Sequence, residues 1–197
     1  LKKVKGGIFL MSASMEIEKA NIIAIGVLIT STILIMLLYF LKSWGVYVQL
    51  GTPPQGVSLR ILFILLTIVA TVSGLYLSKD KIFDICIGAL CLFIILSNLF
   101  SWWLFDSNAV YTIFSSPDKN EHFLVVETGY GTLYQLSSSG LFMTELAVIR
   151  TDDGYKPISK GAYRLEWKEQ NKLIINYAFD YMAPNEYRKM NIEYKTY

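Results

Sequence analysis

Residues Ile82 to Phe105 read IFDICIGALCLFIILSNLFSWWLF, with Asp84 as the one acidic or basic side chain. A run of this length and character is enough for a helix to cross roughly 30 Å of hydrocarbon. Trp102, Trp103 and Phe105 at its far end are rings of the kind that settle among lipid headgroups, and Asp106, Ser107 and Asn108 follow at once. The stretch divides the chain into a membrane anchor before it and a water-soluble domain after it.

Composition agrees with that division. The chain has 197 residues, of which 53% are apolar, and a mean hydropathy of +0.41, unusual for a soluble domain. The excess lies in residues 20–105. From Asp106 onward polar and apolar residues alternate, and ten Lys or Arg stand against twelve Asp or Glu. The overall charge of +2 therefore leaves no basic footprint on the soluble part, and nucleic acid is not an expected partner. The two cysteines, Cys86 and Cys91, both lie in the apolar stretch. They stand about 140° apart around a helix and are expected to act as small hydrophobes, not as a disulfide.

Two further spans precede the first-named one. Residues 20–41 (ANIIAIGVLITSTILIMLLYFL) carry no charge and end near Tyr39, Phe40 and Trp44; residues 57–77 form a second span if Arg60 snorkels outward. Between them Thr52-Pro53-Pro54-Gln55-Gly56 cannot continue a helix and marks a turn. Val46, Tyr47, Val48 and Leu50 are expected on the membrane interface. The third span, 82–105, follows after only Ser78-Lys79-Asp80-Lys81, so spans two and three form a tight hairpin.

Lys19, Lys79 and Lys81 flank the spans on one side and Lys42 and Arg60 on the other. This bias places the N-terminal lead, residues 1–19, in the cytoplasm and residues 106–197 outside it, in a multi-pass protein of the cell membrane. Lys5-Gly6-Gly7 ahead of Met11 is compatible with codons for a bacterial ribosome-binding sequence, so residues 1–10 are expected to precede a native start at Met11 or Met15. At mid-bilayer depth there is no carboxylate, histidine or charge pair of the kind an ion pathway uses. Asp84 is expected to be a solvated carboxylate at a helix start. Ala70, Gly74 and Ser78 recur at every fourth position as a small-residue seam for helix packing, and Asn98 is placed to hydrogen-bond to another helix.

After Asp106 the period becomes two. His122–Glu127 and Thr132–Leu136 read as strands, and Leu141–Arg150 as a strand or, on pattern alone, a helix. Tyr163, Leu165 and Trp167 alternate with Arg164, Glu166 and Lys168. Beyond Glu169-Gln170-Asn171, Leu173, Ile175, Tyr177 and Phe179 line one face, which predicts a β-hairpin with an aromatic inner side. Met190, Ile192 and Tyr194 suggest a last strand. The expected fold is three transmembrane helices plus a small all-β antiparallel sandwich or open barrel.

Ser116-Pro117-Asp118 with His122–Glu127, then Thr151-Asp152-Asp153-Gly154-Tyr155-Lys156-Pro157-Ile158-Ser159, then Tyr163-Arg164-Leu165-Glu166-Trp167 form a series of turn and strand pieces. The series resembles small membrane-anchored proteins of Gram-positive bacteria with an outer β-domain. The resemblance covers roughly residues 115–180, implies a location in the cell envelope and transfers no catalytic residue.

No enzyme is expected. His122 is the only histidine and there is no cysteine beyond the spans, so a zinc site would need carboxylates to complete it. Asp152-Asp153 and Asp118-Asn120 lack the spacing of a calcium loop. Glu166 and Glu169 do not make a glycosidase pair, and Glu166 with Asp180 is the remaining carboxylate pair for a hydrolase. Ser137 to Ser139 lie outside any nucleophile elbow, and Gly129-Tyr130-Gly131 is a hairpin turn with no helix after it to bind phosphate. No cofactor or metal is expected. Most of the thirteen tyrosines fall after Ala109. Tyrosine suits contact surfaces: Tyr163, Tyr177 and Tyr181 are expected to fill a core, and Tyr187, Tyr194 and Tyr197 to form a partner surface. The expected partners are the lipid bilayer and another membrane or envelope protein, a secreted peptide or the cell wall. The alternative is an immunity protein against a membrane-active toxin or bacteriocin.

Overall fold

A computed structural model describes residues 2–51, 58–168, 171–182 and 186–196, and side chains from residue 16 onward. The Thr52–Gly56 turn lies outside the described residues. Two compact units are present, Leu1–Leu37 with Arg60–Asn98, and Leu38–Leu59 with Leu99–Tyr197.

The first unit holds most of three helices: α1 (Lys2–Ser43), α2 (Leu59–Leu77) and α3 (Lys81–Ser101), the last continued by a π-turn at Trp102–Asp106. Within them Glu16–Ser43, Leu59–Leu77 and Lys81–Asp106 are long and apolar enough to cross a membrane. Their hydroxyls turn back on their own backbone: Thr32 donates to the Leu28 carbonyl, Thr67 to Phe63 and Ser73 to Val69, at 2.7 to 2.9 Å. Such bonds satisfy a polar group where water is absent. Asn98 does the same. Its amide donates to the Ile94 carbonyl of its own helix at 2.9 Å, in place of the expected bond to another helix. Asp80 starts α3 by accepting the Ile82 N–H at 2.9 Å. Asp84 differs from its expected solvated state, since its Oδ1 is withdrawn from solvent with no hydrogen-bond partner among the described residues.

Ala70, Gly74 and Ser78 line a shallow hollow together with Leu28 of α1 and Phe83 and Ile87 of α3. A methyl group added at Gly74 would stand 3.8 Å from Ile87 Cδ1, an ordinary contact. The seam therefore faces a neighbouring helix without glycine being sterically required.

The second unit is all β apart from the helix ends. Its strands are β1 (Val46–Val48), β2 (Val110–Ser115), β3 (His122–Glu127), β4 (Gly131–Leu136), β5 (Phe142–Ile149), β6 (Tyr163–Lys168), β7 (Lys172–Ala178) and β8 (Tyr187–Glu193). They form a five-stranded sheet in the order β1-β5-β4-β3-β2 and a three-stranded sheet in the order β6-β7-β8, every pairing antiparallel. The aromatic hairpin is present with Trp167 opposite Leu173, and Leu141–Arg150 resolves into a strand. Val46–Val48, expected on the membrane interface, forms a strand that pairs with β5: Gly45 accepts the Glu145 N–H at 2.8 Å and Gln49 donates to the Leu141 carbonyl at 2.9 Å. The β-branched side chains of this short run suit a sheet edge.

The edges of the larger sheet are thus the two strands that follow helices, β1 after α1 and β2 after α3. Four antiparallel steps separate them, so β1 and β2 run in the same direction.

Both sheets contribute to one core. Phe123, Val125, Leu133 and Ile149 of the larger sheet meet Leu173, Ile175, Tyr177 and Ile192 of the smaller, joined by Ile158 and Tyr194. A register shift after Leu133 turns Leu146 as well as Ala147 toward this core. Its aromatic centre is Phe123, whose ring lies 5.1 Å from Tyr194 and 5.5 Å from Trp167. Tyr177 is buried as expected, Tyr163 is half-buried, and Tyr181 is 75% exposed and so does not fill the core.

Candidate functional site

The two sheets differ in width, and this difference builds a concavity in the β unit. Three strands cannot cover five. β8, at the edge of the smaller sheet, lies nearest β5, and beyond it the inner faces of β5 and β1 are left open. The resulting cleft, about 540 Å³, has Val46, Phe142, Thr144 and Leu146 as floor, Trp44 at one rim and Glu193, Tyr194 and Lys195 as the opposite wall. Such a volume lies within the usual range of ligand sites. Phe142 on the floor is 40% and Trp44 at the rim 72% exposed, so the cleft offers apolar surface to solvent.

Gln135 fixes the wall. It is buried, its amide donates to Glu121 Oε2 at 2.7 Å and to the Lys195 carbonyl, and its oxygen accepts the Lys195 N–H at 3.2 Å. A side chain thereby does for the tail beyond β8 what a neighbouring strand would do. Among the described residues nothing else pairs with the open edge of β8.

On the outer face of the larger sheet a second cluster clamps β1. The Tyr47 hydroxyl donates to Glu145 Oε2 at 3.0 Å, and its ring stands edge-on to Tyr134 at 5.4 Å. Burial, the bond to Glu145 and that carboxylate's charge push Tyr47 up to about 12. Burial first, then the charges of Tyr47 and Glu145, push Tyr134 upward as well. Both stay protonated donors over the physiological range.

The tyrosines expected to form a partner surface separate. Tyr187 is exposed at the start of β8. Tyr194 is only 7% exposed, packed edge-on against Phe123 and Trp167, and burial raises its pKa. It is a core residue whose edge reaches the cleft, because the tail is tied inward at Gln135. Tyr197 lies outside the described residues.

The remaining polar candidates are engaged in local structure. His122 Nδ1 is 2.8 Å from the Ser115 hydroxyl. Ser116 bonds Asp118, and that hydroxyl followed by the Asn120 N–H holds the Asp118 carboxyl below its ordinary value. Glu166 accepts from Asn176 at 3.0 Å, whereas Asp180 accepts the Met182 N–H at 2.8 Å; Glu169 lies outside the described residues. Ser137 and Ser139 bond one another at 3.0 Å in the β4–β5 turn. Among the described residues no three His, Cys, Asp or Glu side chains are grouped to hold a metal ion.

The sequence carries no distinctive signal for the cleft. Val46, Phe142, Thr144 and Leu146 are ordinary strand residues, and only the strand count of each sheet shows which of them lack a cover. Comparison with protein-family models, curated proteins and solved structures returns no match.

Proposed function

We propose that this chain is a non-enzymatic integral membrane protein whose β-domain stands outside the cytoplasm and binds an extended segment of another envelope protein or of a secreted peptide. The observation that carries the reading is the five-against-three mismatch of the sheets. It leaves an apolar floor of Val46, Phe142, Thr144 and Leu146 beside the open edge of β8. A strand added to β8 would satisfy that edge and cover that floor in one step, the usual logic of β-augmentation.

The membrane part of the reading rests on three helices of spanning length and on Lys19, Lys79 and Lys81, which flank them on one side. It is supported by the parallel course of β1 and β2. Two chains that leave one face of a bilayer and enter one sheet are expected to run the same way. The resemblance of the turn pieces adds a Gram-positive cell envelope as the setting.

The test is photo-crosslinking in intact cells with benzoylphenylalanine at Phe142, on the cleft floor, and at Arg164, exposed on β6. A light-dependent adduct of discrete mass is expected from Phe142 and not from Arg164. Equal labelling from both positions, or none from Phe142, contradicts the proposal.

A further inference from the structure

The β unit has two ends, and they differ in what they expose. At one end lie the β4–β5 turn, Ser137–Leu141, and His122. At the other end β2 begins at Val110, level with Glu127, Gly131 and Ile149. That end sits just past Asp106, where the helical segment stops.

Three loops gather there. Lys156 Nζ donates to the Asn108 carbonyl at 2.6 Å, placing the Asp152–Lys156 loop against the chain that leaves α3. Gly154, whose φ of +68° favours glycine, would place an added methyl group 3.7 Å from the Gly129 backbone, an ordinary contact that shows the β3–β4 turn alongside. Asp152 donates its N–H to the Phe179 carbonyl at 3.0 Å, and Tyr155 stands 5.9 Å from Tyr181, adding the β7–β8 loop.

This end presents Tyr130 at 57%, Tyr181 at 75% and Met182 at 89% exposure. Large apolar side chains so exposed cost free energy in water at about 25 cal/mol per Å². The exposed rings of Trp102, Trp103 and Phe105 lie at the end of the third span, a few residues before Asn108, whose carbonyl Lys156 of these loops holds. We infer that Tyr130, Tyr181 and Met182 rest in the headgroup layer of the same bilayer that the helices cross, so that the β-domain is held against the membrane by its loops as well as by its chain connections.

Tyrosine is suited to that layer, with a ring for the acyl boundary and a hydroxyl for water. The charges define the lipid chemistry further. Asp152, Asp153 and Asp180 outnumber Lys156 in these loops, so attraction to anionic lipid is not the source of the contact. A zwitterionic surface is sufficient.

The inference rests on the helices crossing the bilayer, and its test separates the two claims. The full chain, with Cys86→Ala and Cys91→Ala, is reconstituted in phosphatidylcholine vesicles carrying a single cysteine at Met182, Ser138 or Leu90, each labelled with an environment-sensitive fluorophore. Met182 is almost wholly exposed, so its replacement leaves the fold intact. The expected result is a blue shift and loss of emission to nitroxide-labelled lipid at Met182 and Leu90, with neither change at Ser138. Emission at Met182 that matches Ser138 while Leu90 is quenched overturns the inference and leaves the spanning helices standing. A blue shift at Met182 without lipid quenching means that a second copy covers the loops, and overturns it too. An unquenched Leu90 removes the spanning helices and this inference together.

Discussion

The carboxylate of Glu127 accepts the backbone N–H of Ser159 at 2.7 Å, from the end of β3 to a turn 32 positions on. Its other oxygen accepts the Ile158 N–H at 3.0 Å, and the side chain is 1% exposed. The bond joins the piece ending HFLVVE to the piece KPIS. Glu127 therefore stands where the core meets the long β5–β6 connection, and the charge is accommodated because both oxygens are used.

Replacing Glu127 with Ala takes this acceptor from the buried Ile158 N–H and from the partly buried Ser159 N–H. The loss should be on the order of 3 kcal/mol, with Glu127→Gln costing less because an amide oxygen still accepts one bond. Chemical denaturation of the detergent-solubilised chain, followed by tryptophan emission, measures both.

Tyr47 gives the fold an alkaline limit. Its folded pKa of about 12 lies above the unfolded value near 10, so its contribution is complete below pH ~10 and is lost as pH rises through about 12. Tyr47→Phe should remove one late-titrating phenol from the ultraviolet titration. It should also weaken the protection of β1 amides at neutral pH, since the bond to Glu145 is gone.

Trp167→Ala removes a ring 5.5 Å from Phe123 and 5.9 Å from Tyr194. A loss of about 3 kcal/mol is expected. The fragment 107–197 should still fold as a mostly β domain by circular dichroism, but at a lower melting temperature than the same domain within the whole chain. It lacks β1, and β5 becomes a bare edge.

That last point marks the boundary of what the sequence makes legible. The hairpin of β6 and β7 is plain in it because alternation over six or seven residues and a short turn are local properties. The apolar helices are legible by length alone. β1 is not, because three residues beside a long helix carry no period, and their partner lies about a hundred positions away in β5. Tyr194 reads as a tail residue until Gln135, 60 positions before Lys195, is seen to hold that residue. The cleft was the hardest feature to foresee, since it arises from how many strands each sheet holds and not from any residue in it.

A charge on the cleft floor should separate binding from stability. Thr144 is half-buried there, so Thr144→Asp is expected to shift folding stability by no more than roughly 1 kcal/mol. The photo-adduct at Phe142 should be abolished. An unchanged adduct would place the partner elsewhere.

The most direct measurement concerns Val46 and Thr144, which face each other across β1 and β5. Gly45 and Glu145 form the adjacent hydrogen-bonded pair, so Val46 and Thr144 form a non-hydrogen-bonded one, with Cα atoms about 4.5 Å apart, within reach of a disulfide. Cysteines at both positions, in a chain lacking Cys86 and Cys91, should oxidise to an intramolecular disulfide in native membranes. The account predicts near-complete bridging, because the segment between α1 and α2 and the β-domain must share one side of the bilayer. Two cysteines that stay free under oxidant, one of them shielded from impermeant maleimide in intact cells, would place them on opposite sides and contradict it.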